Sequence, residues 1–170
     1  YAVRFPRVPA PLDYLLRDLW TYTHVRHHLD DHYNLCILAA PQLAAVGLRL
    51  KKLGRVDLLV YDDWDYFPGE YAGKPLSRKI LHRREVTCVR YADGVVSVSS
   101  VLQDLRRKQG ARKTALIPNG VDYNLFKPAQ TKKPHPPTLI YMGSFFEDWG
   151  ADLPIIALPQ IRERIPDARY

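Results

Sequence analysis

The stretch VDLLVYDDWDYFPG, Val56 to Gly69, decides the fold. Asp57 opens an apolar run, Leu58 to Tyr61, that lacks the alternation of a half-exposed strand. The run therefore predicts a strand buried on both faces of a parallel sheet. Asp62, Asp63, Trp64, Asp65, Tyr66 and Phe67 follow it directly, and Pro68-Gly69 signals a turn. Three carboxylates and three aromatic rings thus share one loop. In open α/β sheets the ligand crevice lies beyond the carboxyl ends of the strands, where this loop emerges. Aromatic faces beside carboxylate acceptors suit a hydroxyl-rich ligand such as a sugar. The alternative is a turn with Asp caps and Trp64 folded back onto the core, and for any single residue that alternative is the stronger. For the loop as a whole a site is favoured, because like charges this close repel unless something uses or offsets them.

Working outward, Leu35 to Ala40 reads as another buried strand. Pro41 starts a helix to about Leu53, which Gly54 stops. With the run at Asp57 this makes a βαβ unit, which implies parallel pairing and a right-handed crossover. Upstream, Leu12, Leu15, Leu16, Leu19, Trp20 and Thr23 recur at helical spacing and predict an amphipathic helix from Pro11 to Asp31. Tyr1 to Phe5 is expected as a short strand. Downstream, Pro75 to Tyr91 is a basic helix with Leu76, Ile80, Leu81, Thr87 and Cys88 on its apolar side. Asp93-Gly94 turns into a strand, Val95 to Val98. Ser99 or Ser100 caps a helix that ends at Gln109-Gly110, and Ala115 to Ile117 is a further strand. Asp122 caps the turn leading to Phe126. Ala129 to Pro137 is a Pro-rich linker, Thr138 to Met142 a new strand, and Ala151 to Arg164 a helix complicated by Pro154 and Pro159.

A chain of 170 residues holds one full domain and the start of a second. Its 46% hydrophobic and 25% charged content are ordinary globular values. A net charge of +7 and a pI near 9.5 make the surface attractive to anions. Two cysteines, Cys36 and Cys88, do not form a disulfide framework and fit buried thiols in a reducing cytosol. No stretch is long and apolar enough to span a bilayer. The expected location is the cytoplasm, or the inner face of a membrane. The chain opens at Tyr1 without Met and stops at Asp-Ala-Arg-Tyr, so it reads as a fragment.

Several motifs compete with simpler explanations. His24, His28 and His32 fall on one helical stripe, with His27 beside them, and helical i, i+4 histidines can bind zinc. A solvated helix face explains them better, and no metal is expected. The basic helix carries Arg78, Lys79, Arg83, Arg84 and Arg90. Its default role is a solvated face, but cations beside an apolar side also suit a membrane surface rich in anionic lipid. Nucleic acid is the weaker partner, because no helix-turn-helix, zinc module or ribonucleoprotein-type aromatic motif accompanies the charge. Asn119-Gly120 is a turn pair at the lip of a hinge, and Gly143-Ser144 lets backbone approach a ligand at a strand end.

The segment YADGVVSVSSVLQDLRRKQGARKTALIPNGVDYNLFKP resembles the second half of the N-terminal domain of group 1 (family 4-like) glycosyltransferases of the GT-B type. The matching pieces are Ala92-Asp93, the strand ending in Ser99, Ile117 to Asp122, and Phe126 to Pro128. The loop Tyr61-Asp62-Asp63-Trp64-Asp65 is similar to the Tyr-Asp-x-x-Asp loop of a subgroup that builds polysaccharides. TLIYMGSFFEDWGADL resembles the first strand and loop of the family's C-terminal domain.

The resemblance implies a Rossmann-like parallel sheet with helices on both faces over residues 1–128. A linker over 129–137 and the first βα unit of a second Rossmann-like domain over 138–170 would follow. It implies sugar transfer from a nucleotide-sugar to the hydroxyl of a carbohydrate or lipid-linked acceptor, with no cofactor beyond that substrate. Asp62, Asp63 and Asp65 would be catalytic, and Trp64 and Tyr66 would bind the acceptor. Asn119, Gly120, Gly143 and Ser144 would meet the donor. Two departures stand against the pattern. The family's first strand with its glycine-rich loop and most of its donor domain are missing. Glu147-Asp148-Trp149-Gly150 also replaces the usual Lys-Gly. The fragment alone is therefore expected to bind better than it catalyses. The alternative expectation is a non-catalytic α/β module that docks on an anionic surface through residues 75–91.

Overall fold

The computed structural model describes residues 12–28, 32–69, 73–127, 136–145 and 150–170. The strand expected at Tyr1 to Phe5 and nearly all of the expected linker lie outside them. The chain divides into two compact units, Tyr1–Gly120 and Val121–Tyr170. The division falls before the Pro128 boundary read from the sequence.

In the first unit the order is α1 (Leu12–His28), β1 (Tyr33–Leu38), α2 (Ala44–Lys52), β2 (Val56–Asp63), α3 (Pro75–Tyr91), β3 (Gly94–Ser97), α4 (Ser100–Gln109) and β4 (Thr114–Leu116). A single 3-10 turn, Pro41–Leu43, leads into α2. The four strands form one sheet in the order β1-β2-β3-β4, and each neighbouring pair is parallel. The α/β class and parallel pairing are as the apolar runs indicated.

One expectation is corrected. With strands in sequential order, right-handed crossovers put every connecting helix on the same face. Burial agrees: Leu59 is 0% exposed but its neighbour Leu58 is 52% exposed. Leu38, Leu59, Tyr61 and Val95 from the sheet pack with Ala44 of α2, Cys88 and Val89 of α3, and Ala92. Leu35 and Ile37 pair in register with Leu58 and Val60 and share the other face, where Leu35, Ile37 and Leu58 are exposed. So β2 is half-exposed rather than buried on both faces, and helices on both faces are not found among the described residues. α1 packs on α2, with Arg49 of α2 set 4.1 Å from the centre of the Tyr22 ring.

Local chemistry explains the element ends. α2 lies so close to the sheet that a β-carbon at Gly47 would meet Leu59 at 3.2 Å and Leu38 at 3.3 Å. Ser99 Oγ accepts the Leu102 N–H at the start of α4, satisfying one of the donors that a helix start leaves open. Gly110 ends α4 at φ 97°, where L side chains are strained. α3 buries Ser77, Leu81, Glu85, Cys88 and Val89. Leu76 and Thr87, expected on the apolar side, are exposed instead.

In the second unit, Asp122 accepts the Asn124 N–H at 2.9 Å and caps α5 (Tyr123–Phe126). The strand expected at Thr138 to Met142 is only an isolated parallel bridge, Thr138 to Arg169. Ile140 and Met142 are exposed there, since the described residues offer no further strand to cover them. α6 (Leu153–Arg164) starts with Pro154 in its first turn, where the missing N–H costs nothing, and tolerates Pro159 inside.

Candidate functional site

β2 delivers the acidic-aromatic loop to the carboxyl end of the parallel sheet, as its sequence implied. The strand period then separates two neighbouring carboxylates. Asp62 pairs in register with Val96 and lies on the open face, and Asp63 pairs with Ser97 on the helix-covered face.

Asp63 is 0% exposed. Arg106 of α4 donates to it twice, Nη2 to Oδ1 at 2.6 Å and Nε to Oδ2 at 2.8 Å. Ser97 Oγ donates to Oδ2 at 3.1 Å. The same guanidinium donates to Glu85 of α3, Nη1 to Oε2 at 2.8 Å and Nη2 to Oε1 at 3.0 Å, and to Gln109 Oε1 at 3.0 Å. Two carboxylates and one guanidinium are therefore buried together and tie β2, α3 and α4. Burial, only partly offset by Arg106, pushes the Glu85 carboxyl above its ordinary value. Burial also works against the Arg106 cation, but its bonds to Asp63 and the charge of Glu85 outweigh it and raise its pKa. The Tyr61 hydroxyl is raised chiefly by burial, then by Glu85 and Asp63. Asp63 thus has no exposed oxygen to offer a substrate, and its expected catalytic role is replaced by a structural one.

Apart from the buried Phe67 and Pro68, the rest of the loop is accessible. Asp65 is exposed, and its Oδ1 accepts the N–H of Tyr66 at 2.7 Å. Trp64 is 50% exposed, with its indole N–H donated to the Ala39 carbonyl at 2.6 Å. Its ring meets the buried Phe67 edge-on at 5.3 Å. Trp64 is therefore folded back at its nitrogen while half of its surface stays open. Tyr66 is exposed, and the turn behind it closes through Gly69 N–H to the Tyr66 carbonyl at 2.9 Å. Asp62, Trp64, Asp65 and Tyr66 remain as accessible candidates.

Asn119 and Gly120 are exposed in the segment that follows β4 in the first unit, and nothing lies within 4 Å of a β-carbon built on Gly120. Gly143 and Ser144 belong to the second unit. There the Tyr141 hydroxyl donates to the Ser144 carbonyl at 2.8 Å, and a side chain at Gly143 would meet that hydroxyl at 3.0 Å.

The histidine stripe is also corrected. α1 is described over Leu12–His28, and His32 is not helical; its Nε2 lies 3.0 Å from Asp57 Oδ1. Among the described residues, no three His, Cys, Asp or Glu side chains are grouped to hold a metal ion. The partners of Asp63 were missed in the sequence. Glu85 had a signal, because it falls at helical spacing with Ser77, Leu81, Cys88 and Val89 on the buried stripe of α3. Arg106 falls at helical spacing with the partly buried Leu102, Leu105 and Gln109 of α4, but its charge reads as solvated, and only the structure shows it buried beside Gln103. Asp93 serves as a structural acceptor, taking the Leu59 N–H at 2.7 Å and pairing with Lys51 at 2.6 Å. No protein-family model matches the chain, and no curated protein matches it.

Proposed function

We propose that this chain is the acceptor-side part of a glycosyltransferase that moves a sugar from a nucleotide-sugar to an acceptor hydroxyl. One observation carries the reading: two accessible carboxylates and two partly open rings stand on one loop at the carboxyl end of a parallel sheet. Trp64 and Tyr66 offer apolar faces to a sugar ring, and Asp65 and Asp62 offer acceptors to its hydroxyls. A carboxylate within hydrogen-bond reach of the attacking hydroxyl orients it and takes its proton. Asp63 acts at one remove, by holding the end of β2 to α3 and α4. Asn119, Gly120, Gly143 and Ser144 remain the donor-side candidates, and the protein would work in the cytoplasm or at the inner membrane face.

The test is acceptor binding by the 170-residue chain, followed by transfer of labelled sugar from nucleotide-sugar donors where binding is found. A carbohydrate acceptor should quench or shift the Trp64 fluorescence, and Asp65→Asn and Trp64→Ala should each weaken that response. Full wild-type binding and transfer in both Asp62→Asn and Asp65→Asn would end the assignment. The second reading, a non-catalytic module docking on an anionic surface, is favoured by the exposed Arg78, Lys79 and Arg83 of α3. Because Leu81, Cys88 and Val89 of α3 are buried in the core, such docking would be chiefly electrostatic and would collapse in high salt.

A further inference from the structure

We infer that the cleft between the acidic-aromatic loop and the first turns of α3 is a binding site for a phosphate ester. The cleft has a volume of about 330 Å³ and is lined by Tyr66, Pro68, Pro75, Arg78, Lys79 and His82. Positions 75, 78, 79 and 82 follow the i, i+3, i+4, i+7 spacing that places side chains along one edge of a helix. The basic side chains at 78, 79 and 82 therefore line the same space, and among the described residues no carboxylate lines it.

Two other arginines of α3 have protein partners, while the exposed Arg83 is not among the residues lining the cleft. Arg84 pairs with Asp18 at 2.6 Å, and Arg90 donates to the Gln109 carbonyl at 2.9 Å. Among the described residues, Arg78 and Lys79 have no such partner. Two adjacent cations without an acid between them repel, and an anion bound in the cleft offsets that cost. The first turn of α3 adds to the field. Pro75 stands at its start, no side chain caps it, and the open N–H groups of a helix start favour negative charge.

The donor set selects the class of anion. The guanidinium of Arg78, the ammonium of Lys79 and the imidazole of His82 line the cleft from α3, together with Tyr66 of the loop. They suit the several oxygens of a tetrahedral phosphate better than a planar carboxylate, which one guanidinium satisfies in bidentate fashion. Tyr66 belongs both to this cleft and to the acidic-aromatic loop, so the rest of the ligand would run along its ring towards Asp65. If the sugar-transfer reading holds, and only then, the acceptor is a phosphorylated one.

The experiment follows backbone amide shifts of the 170-residue chain by NMR. Glycerol 3-phosphate is titrated against glycerol, and vesicles of phosphatidylcholine are compared with and without phosphatidic acid. Saturable shifts at Tyr66 and over 78–82 with glycerol 3-phosphate, absent with glycerol, are the expected result. The double variant Arg78→Gln, Lys79→Gln should weaken binding by about tenfold or more, since charge-assisted contacts are lost. The control Lys52→Gln, Lys108→Gln removes the same charge elsewhere and should leave the affinity nearly unchanged. If glycerol 3-phosphate leaves the cleft unperturbed and vesicles bind only with phosphatidic acid and only with Arg78 and Lys79 intact, the source of the phosphate is a lipid headgroup. Binding of glycerol 3-phosphate assigns a soluble ester. The inference is overturned if neither probe binds saturably, if shifts fall outside the cleft, or if both double variants weaken binding equally. Carbohydrate binding at Trp64 is read separately, so either result can fail without the other.

Discussion

Replacing Arg106 with methionine tests what holds the candidate loop in place. The substitution keeps much of the volume but leaves Asp63 and Glu85, both fully buried, facing each other without their cation. Removing one partner from a buried ion pair costs about 3–5 kcal/mol near neutral pH, because the charge left behind is uncompensated. For a chain of this size that loss lowers the melting temperature by roughly 6–20 °C. The pH dependence gives the sharper signature. Without Arg106 the Glu85 carboxyl, which burial already raises, titrates in the folded variant further above its unfolded value of about 4.3. The folded state then keeps protons that the unfolded state has released, so stability falls as pH rises through that window. A retained proton contributes a slope of about 1.4 kcal/mol per pH unit over that window. Urea unfolding followed by far-UV circular dichroism at several pH values reads both quantities. A variant within about 1 kcal/mol of the wild type, or one whose loss does not grow with pH, would refute the account of Asp63 as a buried structural group.

Other substitutions should separate the pieces of the same design. Glu85→Gln leaves Asp63 and Arg106 as a neutral pair and removes the carboxyl whose charging is disfavoured, so urea unfolding should show a loss below about 1.5 kcal/mol. Asp93→Asn removes the charge that accepts from Leu59 and pairs with Lys51. Burial opposes that charge, but the Leu59 N–H and Lys51 outweigh it and hold the carboxyl below 3.8. Its contribution is complete above 3.8 and lost as pH falls through the lower folded value, so acid titration of Asp93→Asn should show a flatter decline there than wild type. Gly110→Ala forces an L side chain into φ 97° at the end of α4 and should cost about 1–2 kcal/mol in the same unfolding assay.

The order of elements, their parallel pairing and the site of the acidic-aromatic loop follow from local signals in the sequence. Short apolar runs separated by helical periods leave a parallel sheet as the arrangement that buries them, and Ser99, Asp122 and Gly110 mark their ends by chemistry reaching only a few residues. What those signals do not carry is which of two neighbouring aspartates turns inward. A strand period places Asp62 and Asp63 on opposite faces, but the choice of covered face comes from the sequential strand order, which puts α2, α3 and α4 together on one side. The partner that makes Asp63 tolerable in the core is 43 residues away. Burying a charge is permitted only where another charge and enough donors arrive with it, and that meeting of β2, α3 and α4 exists in the tertiary structure alone.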